Sequence, residues 1–219
     1  MLCITVDGPS GSGKGTISLL LANRLSLNYL DSGAIYRLMA YAASNKGIDL
    51  TDENSVADYA NEIDVKFKIS DDAMSCQVIL NSAIVTDEIR TEQAGNNASK
   101  IAVFPKVRAA LLELQRNFLI SPGLVADGRD MGTVVFADAP YKFFLTASAE
   151  ERAMRRYKQL TDKGYSVELE ALTKEIEARD ERDSSRSASP LKPADDAILI
   201  DSTSLPIDGV LEKIMAVIQ

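Results

Sequence analysis

A chain of 219 residues, 46% of them hydrophobic, suits one domain carrying an insertion and can bury a sizeable core. Its net charge of −8, from 24 basic and 32 acidic residues, argues against nonspecific nucleic-acid binding, so a phosphate substrate must be held by local arginines. The absence of histidine removes imidazole general bases, phosphohistidine intermediates and histidine metal sites together.

Leu2-Cys3-Ile4-Thr5-Val6 reads as a buried strand, and Gly8-Pro9-Ser10-Gly11-Ser12-Gly13-Lys14-Gly15-Thr16 follows almost at once. The glycines at 8, 11 and 13 let successive N–H groups turn inward toward an anion. The helix expected from Lys14 to about Leu27 adds its positive end, and Lys14 reaches the outer phosphates of a nucleoside triphosphate. The general motif places Ser or Thr directly after the lysine. Here Gly15 stands there, and the hydroxyl comes one residue later at Thr16.

Helices are expected over Ala34 to Asn45 and from about Thr51, as N-cap, to Ile63. Alternation over Val65 to Ile69 and within Ser75 to Leu80, with Ile84-Val85 after a turn, predicts a small antiparallel sheet at about 64–86. Helical pattern resumes near Thr91, and Pro105 is placed to open another helix. Leu124 to Ala126, Lys142 to Leu145 and Ala197 to Ile200 read as further buried strands, with charged helices between the last two and a final helix from about Pro206 to Val217. Strands alternating with helices predict an α/β fold with a mainly parallel sheet flanked by helices.

Asp31-Ser32-Gly33-Ala34-Ile35-Tyr36-Arg37 reads either as a second-substrate pocket, with Ser32 and Arg37 gripping a phosphate, or as an N-cap beside a surface arginine. Asp127, Arg129 and Asp130 close a buried strand, where ligands of open α/β sheets bind. Asp127 could hold Mg²⁺ directly or through water, and Arg129 could bridge two phosphates. A turn with a compensating Asp–Arg pair is the alternative. Arg152, Arg155 and Arg156 share one helix face, and Arg179, Arg182, Asp183 and Arg186 mark a second helix. Such faces are usually solvated, but two arginine-bearing helices joined at the turn Thr161 to Tyr165 also suit a lid over phosphates.

No apolar run approaches the ~20 residues of a membrane span, and no export signal opens the chain. With Cys3 and Cys76 lacking metal-ligand spacing, two reduced thiols in a cytoplasmic protein are expected, and the expected partners include neither membrane nor nucleic acid, with a monomer as the expected state.

Six blocks together, GPSGSGKGT (8–16), LDSGAIYR (30–37), DEIRT (87–91), ADGRDMGTVVF (126–136), EERAMRR (150–156) and ARDERDSSR (178–186), resemble the bacterial cytidylate kinases of the nucleoside monophosphate kinase family. The resemblance implies a P-loop fold with its core at about 1–31, 100–150 and 190–219, a monophosphate-binding region at about 32–99, and a lid at about 151–186. It implies that ATP, with Mg²⁺, phosphorylates CMP and dCMP. Carried over residue by residue, Lys14 and the loop 8–16 hold ATP. Ser32, Arg37, Ser99, Arg108, Arg129, Asp130, Asp183 and Arg186 form the CMP site, with Arg37, Arg108 and Arg129 on the phosphate, Asp183, Arg186 and Ser99 on the cytosine and Asp130 on the sugar. Arg155, Arg156 and Arg179 act from the lid. Asp127 meets the metal through water, with Thr16 a phosphate ligand. A small-metabolite kinase, such as one for shikimate, and a nucleotide-dependent switch are the competing classes. The arginine surplus speaks against the first and Gly15 against the second.

Overall fold

The computed structural model describes residues 1–70, 75–162, 164–186 and 188–218. Of the positions singled out above, Lys163 in the expected lid turn and residues 71–74 of the expected insertion lie outside them. Five parallel strands form one sheet in the order β2-β6-β1-β7-β8: β1 (Leu2–Asp7), β2 (Asn28–Asp31), β6 (Gly123–Gly128), β7 (Tyr141–Thr146) and β8 (Ile198–Asp201). A three-stranded antiparallel sheet is built from β3 (Val65–Ile69), β4 (Cys76–Leu80) and β5 (Ala83–Ile84). The chain divides into two compact units, residues 1–3 with 18–127 and residues 4–17 with 128–219.

In the first unit, β2 and β6 run in parallel register from Asn28 opposite Leu124 to Asp31 opposite Asp127. The side chain of Asn28 donates to the carbonyls of Ile120 and Gly123 at 3.1 and 2.9 Å, fastening the start of β2 to the approach of β6. Helix α1 (Lys14–Arg24) ends three residues earlier than its apolar spacing suggests, because Ser26 takes a left-handed φ of 53° to turn the chain into β2. Helix α2 (Ser32–Asn45) is capped by Asp31, whose carboxylate accepts from the Ala34 N–H, and buries Ile35, Leu38 and Met39. Helix α3 (Glu53–Tyr59) is shorter than the expected 51–63. Asp52, not Thr51, accepts from the first-turn N–H groups, and a 3₁₀ turn over Ala60–Glu62 completes the segment. Helices α4 (Thr86–Ile89), α5 (Glu92–Ile101, capped by Thr91) and α6 (Pro105–Arg116, with its proline at the first turn) complete the unit. The inserted sheet is anchored through Phe67, whose ring meets Tyr29 of β2 edge-on at 5.9 Å and Phe118 at 5.5 Å.

In the second unit, β1 and β7 pair from Ile4 opposite Tyr141 to Asp7 opposite Phe144. A π-helical turn spans Met131–Val135, and α7 (Ala149–Asp162) packs on α8 (Leu169–Ser184) before β8 and α9 (Ile207–Ile218). The sequence reading of 197–200 as a buried strand needs correction. β8 is an edge strand of the sheet, so Ile198 and Leu199 are exposed and only Ile200 faces the core. Its apolar run reflects β-propensity at an edge, not burial on both faces.

Candidate active site

The loop 8–16 joins the end of β1 to the start of α1, the strand–loop–helix setting that an anion-binding loop needs. Lys14 Nζ donates to the Pro9 carbonyl at 3.1 Å, folding the lysine back over the loop. Ser12 is buried, whereas Thr16 is exposed. Gly11 has a left-handed φ of +78°, and a Cβ there would stand 3.1 Å from Cβ of Arg152, so the loop passes tightly over this arginine.

Arg152 is itself buried. Its guanidinium donates to the carbonyls of Ala147 and Ser10 at 2.9 and 3.1 Å and pairs with both carboxylate oxygens of Asp180 on α8, Nη1 at 3.0 Å and Nη2 in a shorter contact. Arg155, expected to act from the lid, is held by Glu151 at 3.0 Å, by the Ser202 carbonyl at 2.6 Å and by the Ser12 carbonyl at 3.4 Å. Ser202 in turn donates to the Ser12 carbonyl at 3.0 Å. Two neighbouring arginines of α7 therefore fasten the backbone of the loop at Ser10 and Ser12. Arg156 is exposed and Arg179 half-buried.

A second cluster lies in the same unit. Arg129 Nε donates to Asp183 Oδ2 at 2.9 Å, and Arg186 reaches the other carboxylate oxygen, so Asp183 gathers two arginines from separate segments. Asp183 and Asp130 are both buried. Ahead of them, Asp7 ends β1 with its carboxylate accepting from the N–H groups of Met131 and Gly132 at 2.9 and 2.8 Å. Burial pushes its carboxyl up to about 6. Asp130 adds to the rise, while the two N–H groups and the Lys14 charge oppose it.

The remaining predicted residues belong to the first unit. Ser32 is buried at the first turn of α2. Arg37 donates to the carbonyls of Ile89 and Thr91 at 3.0 and 2.9 Å, and a Cβ on Gly95 would stand 2.9 Å from its NH2. Ser99 donates to the Gly95 carbonyl, and Arg108 lies 5.8 Å from the centre of the Tyr36 ring. Asp127 is buried and accepts from the Tyr29 hydroxyl at 3.1 Å; the burial of Tyr29 itself, and then the neighbouring Asp127 charge, drive that phenol well above its ordinary value.

The family model described as cytidylate kinase matches residues 4–219. The chain belongs to the cytidylate kinase family. Curated cytidylate kinases from Pseudomonas aeruginosa (strain LESB58) and Azotobacter vinelandii (strain DJ / ATCC BAA-1303) are each 59% identical to it, over 212 and 213 residues, covering 97% of this chain and 93% of each relative. Among solved structures, a gluconokinase from Sinorhizobium meliloti aligns with 98% of this chain and 90% of its own at 16% identity and a TM-score of 0.45.

In this cytidylate kinase family member, sequence reasoning passed over Asp7, Tyr29, Asp180 and Ser202, and it grouped Arg152 with a solvated face. Asp7 had a readable signal, a carboxylate closing an apolar strand, which is the criterion that picked out Asp127. Arg152 had none, because its burial depends on Asp180 arriving from 28 residues away.

Proposed function

We propose that this chain transfers the γ-phosphoryl group of ATP to CMP, giving CDP and ADP, and that it accepts dCMP as well, as a cytoplasmic monomer of pyrimidine nucleotide metabolism. Membership of the cytidylate kinase family supports the substrate. The observation that carries the chemistry is the pairing of a lysine-bearing glycine loop with clustered arginines in a chain without histidine. The acceptor is a phosphate oxygen that is already ionised, so no general base is needed. That oxygen forms a bond to the γ-phosphorus as the bond to the β–γ bridging oxygen breaks, and ADP leaves with the electron pair. What the protein supplies is alignment of two anions and offset of their repulsion.

In this reading, Lys14 and the amides of 8–16 hold the ATP phosphates, with Thr16 as a further phosphate ligand. The region 32–99, with Arg108, Arg129, Asp130, Asp183 and Arg186, takes the monophosphate. Arg37, Arg108 and Arg129 would meet its phosphate, Ser99, Asp183 and Arg186 its base, and Asp130 its sugar, with Ser32 a further contact of the monophosphate. The segment 151–186 closes as a lid, with Arg155, Arg156 and Arg179 neutralising the transferring group and water kept out. Among the described residues no group of three carboxylates or thiols is gathered for a metal. A single buried carboxylate at Asp127 suits Mg²⁺ held chiefly by phosphates and water, which supplies charge neutralisation when bound. Asp127 would orient that ion through water.

A coupled assay presenting CMP, dCMP, UMP, AMP and dTMP with Mg-ATP tests the reading. CMP is expected to give the highest kcat/KM, with dCMP second. Preference for AMP or dTMP would overturn the cytidylate assignment while leaving the kinase class standing.

A further inference from the structure

Nothing in the proposed chemistry uses Asp7, yet its setting is unusual. It is the last residue of β1 and the one immediately before the loop. Its side chain is 4% exposed, and each carboxylate oxygen accepts one of two consecutive backbone N–H groups, those of Met131 and Gly132. These two residues open the π-helical turn directly after Arg129 and Asp130. The fit is close on the other side as well. A Cβ on Gly132 would stand 2.9 Å from Thr5 Oγ1 and 3.4 Å from Asp7 Oδ2, so only glycine lets the backbone come this near the strand.

A turn can be satisfied by neutral acceptors, and burying a carboxylate for the purpose is costly. The charges that act on Asp7 are Asp130, which opposes its ionisation, and Lys14, which favours it. One group thus links the residue before the loop, the loop lysine and the segment bearing Arg129 and Asp130.

We infer that Asp7 is a positioning residue for the acceptor nucleotide: by clamping the Met131 and Gly132 N–H groups it sets Arg129 and Asp130 in register with the start of the phosphate loop. The inference rests on the reading of Arg129 and Asp130 as contacts of that nucleotide. A carboxylate that accepts two adjacent N–H groups fixes both the position and the tilt of the peptide planes between them, where a single bond would fix only distance. Arg129 lies two residues ahead of the first clamped amide, so a tilt there is carried to its Cα.

The test is Asp7→Asn, which keeps the shape but turns an amide N–H₂ toward one of the two N–H donors. Loss of registration should raise KM for CMP or lower kcat by about tenfold while KM for ATP stays within about twofold. Amide exchange at Met131 or Gly132 should speed up by about tenfold or more as one of its hydrogen bonds is lost. Arg129→Ala is measured beside it. If Arg129→Ala leaves CMP kinetics intact, the reading of Arg129 fails and takes the inference with it. If Arg129→Ala is impaired but Asp7→Asn has normal CMP kinetics, or raises both KM values alike, the inference alone is overturned. In the double variant the losses should overlap, and full multiplication of the two would also count against it. Should Asp7→Asn not fold, Gly132→Ala perturbs the same clamp from the other side, with the same expectations. Should neither fold, exchange at Met131 and Gly132 in the unmodified protein decides, slowing with CMP as expected or remaining unchanged against it.

Discussion

The cost of ionising Asp7 in its buried site yields a stability prediction that runs opposite to the kinetic one. Its carboxyl is raised from 3.8 to about 6, which corresponds to about 3 kcal/mol of unfavourable ionisation in the folded state. Between those two values the folded protein holds a proton that the unfolded chain has released, so stability from this group rises as pH falls. The contribution is full below about 4 and is lost as pH rises through about 6. Asparagine keeps the shape and does not titrate, and the backbone N–H that its amide leaves unpaired costs the same at every pH. The stability of Asp7→Asn relative to the unmodified protein should therefore rise by about 3 kcal/mol between pH 4 and pH 7.5. For a chain of this length that difference is about 6–12 °C in Tm. Urea unfolding of both proteins at several pH values supplies the difference curve, from which the other carboxylates cancel. A difference that stays flat with pH, or that falls between pH 4 and pH 7.5, would refute the placement of Asp7 as a buried carboxylate.

Three further outcomes follow from the geometry. Lys14→Ala should abolish transfer, since no other lysine lies in the loop; retained activity in a coupled assay would sink the assignment of residues 8–16 to ATP. Arg129→Ala should lower turnover at least about tenfold with the fold intact by circular dichroism, because it removes a guanidinium expected to meet charge developing in the transition state. Asp180→Ala should destabilise by about 3 kcal/mol, because it strands the buried guanidinium of Arg152 with only the Ala147 and Ser10 carbonyls. A loss below about 1 kcal/mol in urea unfolding would mean that the pair is screened like a surface bridge.

The fold was legible where local pattern and burial coincide. The strand ending at Asp7, the glycine loop and the helix after it announce themselves within 24 residues, and the alternation of Val65 to Ile69 marks the inserted sheet before any partner strand is known. Strand β2 was invisible for a physical reason. Only Tyr29 and Leu30 of its four residues are buried, too few to show a period, and the strand exists because β6 pairs with it. Helix α4, at four residues, is likewise held by its surroundings. At the site, residues chosen by type and spacing were easy to name, but their partners were not. Asp183 meets Arg129 across 54 positions and Asp180 meets Arg152 across 28, and neither pairing leaves a trace in local sequence.

Those pairings explain how an acidic chain manages arginine. Three aspartates within the last two residues of parallel strands use their carboxylates differently: Asp31 caps a helix, Asp127 accepts from a tyrosine, and Asp7 clamps a turn. The aspartates of α8 do a fourth thing. Asp180 fixes an arginine that fastens the loop at Ser10, and Asp183 offers one carboxylate to two guanidinium groups. A free arginine loses side-chain entropy of about 2 kcal/mol when a ligand orders it, so holding Arg129 and Arg186 in place beforehand would lower the cost of capturing the anion proposed for them. The same carboxylate dilutes the positive charge that the anion would see. With two arginines on one aspartate, order is gained from the pairing. On the proposed reading, an acidic overall charge would be no obstacle to a phosphate substrate whose arginines are ordered in this way.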